Sequence, residues 1–247
     1  MTLKRISNSS ITNYSKINNL SNDIVRSGLI LHYDISNPSC YPGSGTNIND
    51  LSGNSLNGTL VGGPTYTSEN NGAIVFNGST QYGTINNNSL LRPSNNFTFS
   101  AWIRIDTQQP GWHKIFGGAG YGAGGYLIFL ETGGEDYRAL VYSSTTEEVR
   151  INTINKISVG IWQNITVTFS VGDHMNYYID GKFVKRRSTP GSSITYGSTS
   201  NLYTFMGFES SNFINGRLGD IKIYNRLLSP DEIKQNYDAL KTRFRKT

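Results

Sequence analysis

Between Gly216 and Phe244 the chain reads as a strand, a turn and a capped helix in immediate succession. Leu218, Ile221 and Ile223 stand among polar residues, the pattern of a strand with one buried face. Ser229 occupies an N-cap position, Pro230 fits the first helical turn, and Glu232 stands where a capping box needs its acid. Ile233, Tyr237, Leu240 and Phe244 then recur at helical spacing. A helix whose single apolar stripe must be covered, directly following a half-buried strand, has to pack on a sheet. That excludes a helical bundle and leaves a sheet protein with one covering helix.

The rest of the chain supplies the sheets. Phe97, Phe99, Ala101, Ile103 and Ile105 alternate with Thr98, Ser100, Trp102 and Arg104, and Ile165, Val167 and Phe169 alternate with Asn164, Thr166 and Thr168. Shorter apolar runs occur at Leu29–Leu31, Ala73–Phe76, Tyr126–Leu130, Ala139–Tyr142, Tyr177–Ile179 and Leu202–Phe208. Asn77-Gly78 and Asp180-Gly181 are tight-turn dipeptides. With 247 residues, 36% hydrophobic and 16% charged, the composition is that of a β-sandwich kept soluble by Asn, Ser, Thr and Gly. No repeat of blade or solenoid length is present, which argues against a propeller. The expected fold is all-β: a two-sheet antiparallel sandwich with one short C-terminal helix.

Three regions are expected. Residues 1–27 are polar and read as an extended arm, 28–240 as the sandwich, and 241–247 as a basic tail. The net charge of +5 gathers partly at the two ends. It reads as solvation of tails rather than a nucleic-acid footprint. One cysteine, Cys40, excludes an intrachain disulfide, and no run has the length of a membrane span. No apolar signal region follows Lys4-Arg5, so nothing in these residues directs secretion.

Several segments, in order, resemble the laminin-G-like, concanavalin-A-like lectin/glucanase jelly-roll family. They are Asp50-Leu51-Ser52-Gly53-Asn54-Ser55-Leu56-Asn57-Gly58-Thr59-Leu60, Ala73 to Tyr82, Phe97 to Ile103, Trp162 to Phe169 with Tyr177 to Gly181, and the closing strand–turn–helix. The opening stretch, Gly28 to Asp34 through Asn37-Pro38-Ser39-Cys40-Tyr41-Pro42-Gly43-Ser44-Gly45-Thr46, is similar to the start of this domain in tailed-phage virion proteins. The resemblance implies a jelly roll over about residues 28–240, carried on a particle surface. The arm would attach it to other virion proteins, and a phage part leaves its host by lysis without a secretion signal. Other expected partners are host or environmental glycans and a possible second copy, but neither nucleic acid nor a bilayer. A stand-alone lectin-like adhesion module is the second reading and a glycoside hydrolase the third.

Catalysis on this fold would need closely spaced carboxylates flanking one glycosidic bond. Glu131, Glu135-Asp136 and Glu147-Glu148 do not form the acid-x-acid-x-x-acid run of such glucanases, and the expectation is a non-enzymatic protein. His32, His113 and His174 lack metal-ligand spacing. Gly120-Tyr121-Gly122-Ala123-Gly124-Gly125 matches G-x-G-x-x-G, but a strand follows it and no helix, so it reads as a loop between strands. The resemblance implies one Ca²⁺ at a sheet edge, with Asp50, Asn54, Asn77 and Asp220 as candidate ligands. The competing reading is local: Asp50 and Asn54 can close the turn around Gly53 through backbone hydrogen bonds. Trp102 and Trp162 read as packing. Trp112 reads as a loop residue whose face can stack on a sugar ring, with His113, Tyr121 and Tyr137 as further glycan contacts.

Overall fold

A computed structural model describes residues 23–108, 110–118, 125–132, 136–142, 148–153, 157–196, 202–207 and 212–244. Its strands are β1 (Leu29–Asp34), β2 (Asn47–Ile48), β3 (Gly58–Val61), β4 (Thr65–Thr67), β5 (Ala73–Asn77), β6 (Tyr82–Asn86), β7 (Asn96–Thr107) and β8 (Gly111–Gly117). There follow β9 (Tyr126–Thr132), β10 (Asp136–Tyr142), β11 (Glu148–Asn152), β12 (Trp162–Ser170), β13 (His174–Ile179), β14 (Lys182–Ser188), β15 (Leu202–Phe205) and β16 (Asn215–Tyr224). The helix α1 spans Pro230–Phe244.

Two antiparallel sheets pack face to face. The first runs β14-β13-β12-β7-β16-β5-β4, with β1 also paired to β16; the second runs β11-β10-β9-β8-β15-β6-β3-β2. The alternation in β7 works as expected: Phe97, Phe99, Ala101, Ile103 and Ile105 all enter the core between the sheets. Rings meet across that core, Phe97 with Tyr126 at 4.6 Å and Phe99 with Phe116 at 5.5 Å. The other face of β7 and β12 is covered by α1. Trp102, Trp162, Ala73 and Phe244 form a second apolar cluster there, with Tyr237 and Leu240 packed against it.

Local turn chemistry explains two connections differently. Asp180 and Gly181 have φ of 54° and 71°, the two left-handed residues of a type I′ hairpin joining β13 to β14. Asn77-Gly78 does not close a hairpin. Its flanking strands β5 and β6 lie in different sheets, and the Asn77 Oδ1 accepts from the backbone of Ser79 (2.9 Å) and Thr80 (3.1 Å) to turn the chain across the sandwich.

The helix start is the capping box itself. Ser229 N donates to Glu232 Oε2 at 2.9 Å, and Glu232 N donates to Ser229 Oγ at 3.3 Å. Arg226 grips the same carboxylate with two nitrogens, at 2.8 and 2.6 Å. That pairing with Arg226, more than the backbone bond, holds the Glu232 carboxyl down from its ordinary 4.5 to about 2. A depressed acid contributes stability above its unfolded pKa and loses it as pH falls through the folded value. Thermal melts should therefore show a loss of stability between pH 4.5 and about 2 that is smaller in Glu232→Gln. An identical acid slope in the variant would contradict the assignment.

Both chain-end boundaries move. Asp23–Ser27, expected in the arm, belong to the domain: Ile24 and Val25 are buried, and Val25 N donates to Asn236 Oδ1 at 2.8 Å while Tyr224 Oη donates to Val25 O at 3.0 Å. At the other end, Lys241–Phe244 are the last turn of α1 rather than a solvated tail. The buried Arg243 donates to Asp34 Oδ1 (2.6 Å), Asn70 O (2.6 Å) and Gly72 O (2.7 Å). Its charge ties the helix end to β1 and the β4–β5 connection. Gly219 allows this docking, because a Cβ there would lie 2.4 Å from the Phe244 ring.

Candidate functional site

The three expected glycan residues that are described, Trp112, His113 and Tyr137, do not form a surface site. Trp112 is in strand β8, not a loop. Its ring stacks on Phe129 at 5.2 Å, the Arg150 guanidinium lies over it at 5.1 Å, and its Nε1 donates to Glu131 Oε1 at 3.1 Å. The π surface a sugar would use is already engaged. His113 is buried and its Nδ1 donates to Phe213 O at 3.0 Å. Tyr137 faces the core between the sheets, 1% exposed, with its hydroxyl donating to Gln163 Oε1 at 2.8 Å. Burial, and then the charge of Asp180, push its pKa upward. Neither side chain can reach a ligand on the surface. Tyr121 lies outside the described residues.

The four candidate calcium ligands do not fit the ion. Asp50 accepts from the backbone of His32 (2.9 Å), Ser52 (2.9 Å) and Leu56 (3.1 Å), which closes its own loop. Asn54 presents its amide nitrogen, donating to Ile30 O at 3.0 Å. Asn77 is spent on its turn. Asp220 is fully buried between His32 Nε2, 3.2 Å away, and the ammonium of Lys222. A protein cation already stands where a metal would. Among the described residues no group of three His, Cys, Asp or Glu is placed to hold a metal.

What the fold does assemble is a cleft of about 590 Å³ where the C-terminal end of α1 meets the start of β12. Phe244, Trp162 and Ile161 make its apolar part. Trp162 packs against Phe244 at 4.7 Å, and Ile161 is 56% exposed. Trp162 Nε1 is buried and has no hydrogen-bond partner among the described residues. Around this floor stand Glu69, Asn70, Arg104, Ser158, Gln163 and Asp180. Gln163 is held by Ser158 N (2.8 Å) and Tyr137, and Asp180 Oδ1 accepts from Asn164 N at 3.1 Å. Tertiary bonds thus fix the polar groups before any ligand arrives, which lowers the ordering cost of binding.

Glu69 and Arg104 belong to a closed ring of charge on the outer face of the first sheet. Arg104 bonds Glu69 at 3.0 Å and Asp106 at 2.7 Å. Arg217 bonds Asp106 at 3.0 Å and the other Glu69 oxygen. Burial raises the Asp106 carboxyl, with the Arg104 charge pulling it down. Glu69 reaches the ring from a 3₁₀ turn, Glu69–Asn71, in which Asn70 is left-handed at φ 54°. Both Glu69 oxygens are engaged by guanidinium groups, which hold the carboxylate in one position.

None of the cleft residues was a sequence candidate for binding. Trp162 was assigned to packing, and it does pack, at 5% exposure. The others come from stretches far apart in the chain, 69–70, 104, 158–163, 180 and 244, so only their juxtaposition marks them.

With this geometry the chain belongs to the concanavalin A-like lectin/glucanase superfamily, whose family model matches residues 77–234. The described structure is similar to the binding domain of botulinum neurotoxin DC solved with rat synaptotagmin II (TM-score 0.70, 18% identity, 87% of this chain and 52% of that one). It is also similar to a botulinum neurotoxin type C structure from work on cell entry that depends on two ganglioside molecules (TM-score 0.69, 18% identity, 87% and 52%). A third is the binding domain of Paraclostridial Mosquitocidal Protein 1 (TM-score 0.63, 19% identity, 86% and 52%). At these identities the likeness is one of fold, and this chain spans about half the length of each of these structures. Among curated protein sequences no match is found.

Proposed function

We propose that the chain is a non-catalytic binding module that holds a carbohydrate in the cleft at the end of α1. The observation that carries this reading is the cleft itself: an exposed apolar wall at Ile161, backed by the buried Trp162 and Phe244 and ringed by fixed amide, carboxylate and guanidinium groups. Sugars present alternating apolar faces and hydroxyls, and such a surface answers both. Membership of a lectin/glucanase superfamily supports the ligand class. The engagement of both Glu69 oxygens by arginines supports binding over hydrolysis. Glycan-array binding should be weakened about tenfold by Ile161→Asp, which places a charge on the exposed apolar wall without touching the core. Binding unchanged by this substitution, or absent for every glycan, would remove the cleft from consideration. A screen on β-glucans should show no turnover.

The finer part of the proposal is location. The opening stretch from Gly28 to Thr46 resembles tailed-phage virion domains, and it supports display of this sandwich on a particle with residues 1–22 as the attachment. Deletion must stop at residue 22, since Asp23–Ser27 pack against α1 and β16. The truncated protein should fold and melt normally but fail to copurify with particles. Full incorporation of it would refute attachment by the arm.

A further inference from the structure

Strand β14 ends the first sheet, and no described strand lies beyond it. Its sequence, Lys-Phe-Val-Lys-Arg-Arg-Ser, is mostly exposed, and Phe183 is 55% exposed. A register shift opposite Tyr177 and Tyr178 makes Val184 the extra residue. The shift sorts the side chains. Lys182, Lys185 and Arg187 pair with Ile179, Tyr177 and Met175, so they point to the side of the second sheet. Phe183 and Arg186 share the opposite side, with Arg186 over the Phe183 ring at 5.9 Å.

Among the described residues none of the four cations pairs with a carboxylate. Lys185 Nζ donates to Asn152 Oδ1 at 3.0 Å and Arg186 Nε to Asn176 Oδ1 at 2.9 Å, both neutral acceptors. Positive charge therefore flanks an open sheet edge on both sides. Such charge normally bars edge-to-edge association, and a second copy pairing β14 with β14 would set like charges opposite one another. An acidic strand turns that barrier into attraction.

We propose that β14 is a docking edge for an extended acidic polypeptide segment, which adds to the first sheet as its next strand. A strand laid along the edge sends alternate side chains to the two faces, so its carboxylates meet Lys185 and Arg187 on one side and Arg186 on the other. Its backbone also takes up the outward N–H and C=O groups of β14. A polysaccharide resting on one face would meet only part of the charge. An anionic bilayer would find one apolar side chain to bury, Phe183. This partner is independent of the cleft ligand, since no β14 residue lines the cleft.

The test uses a labelled peptide of β14's length that alternates Glu with Val and Thr, titrated by fluorescence anisotropy into the full chain at low salt. Saturable binding is expected. It should weaken about tenfold in the Lys185→Glu, Arg187→Glu double variant and with added salt. Amide exchange should slow at the β14 positions that point away from β13, a readout in the unaltered protein that does not depend on the variant's folding. The same peptide with Lys for Glu should not bind. Three results would overturn the proposal: no saturable binding; equal binding by charge-matched dextran sulfate without slowed β14 amides; or preferential binding to anionic vesicles.

Discussion

Asp220→Ala is expected to destabilise the protein by about 3–5 kcal/mol, the largest single effect anticipated for a polar residue in this fold. Asp220 is fully buried on β16, and its two oxygens face the Lys222 ammonium and His32 Nε2. The Lys222 side chain is 1% exposed. Removing the carboxylate leaves a buried ammonium with no counter-charge, and that penalty, not the loss of one bond, sets the magnitude. Replacing both partners with apolar residues, Asp220→Leu with Lys222→Met, should therefore recover most of the loss. Urea midpoints at constant m-value check both parts. A double variant no better than the single one would show that the pair itself, rather than the orphaned charge, holds the site.

The same group fixes a sign with pH. Burial, the strongest influence, pushes the Asp220 carboxyl up, but the charge of Lys222 and the His32 hydrogen bond and charge outweigh it and hold it below the ordinary 3.8. Its contribution is thus complete above about pH 4 and is lost as pH falls below it. Acid unfolding should begin where both Asp220 and Glu232 start to take up protons.

Trp102→Ala is expected to cost about 3–5 kcal/mol and to loosen α1 before the sheets. The Trp102 ring is fully buried under the helix, stacked on Phe244 at 4.6 Å and Tyr237 at 5.5 Å. Its removal takes an aromatic contact from between the helix and the first sheet while the core between the sheets stays intact. Hydrogen exchange should show α1 amides losing protection more than those of β7 or β12. Trp102 Nε1 has no partner among the described residues, so Trp102→Phe discards an unsatisfied donor together with some ring area and should cost less than about 1.5 kcal/mol. Uniform loss of protection across the domain in Trp102→Ala would show that helix and sandwich unfold as one unit.

How far the sequence could be read follows the range of the interactions. The capping box of Ser229 and Glu232 was legible because its bonds span three residues. The Asp180-Gly181 hairpin was legible because two left-handed residues settle a turn by themselves. The same kind of local signal at Asn77-Gly78 marked a turn correctly but not its destination, since the dipeptide bends the chain without choosing which sheet receives it. Trp112 looked like a free loop aromatic because Pro110 and Gly111 precede it; pairing with β9 made it part of a strand.

The candidate site was illegible for a different reason. Its residues come from the β4–β5 connection, β7, the turn before β12 and that strand's first residues, the β13–β14 hairpin and the end of α1. Arg243, expected in a solvated tail, is drawn inside by carbonyls of Asn70 and Gly72 more than 170 residues away. Asp220 and Lys222 lie two apart on a strand and so share a face, which spacing alone could tell. That this face is dry depends on what packs over it. Periodicity, caps and turns determined the elements of this protein because those are contests between neighbouring atoms. Which faces are buried, which charges must be paired and where a cleft opens were decided only when distant segments displaced water from one another.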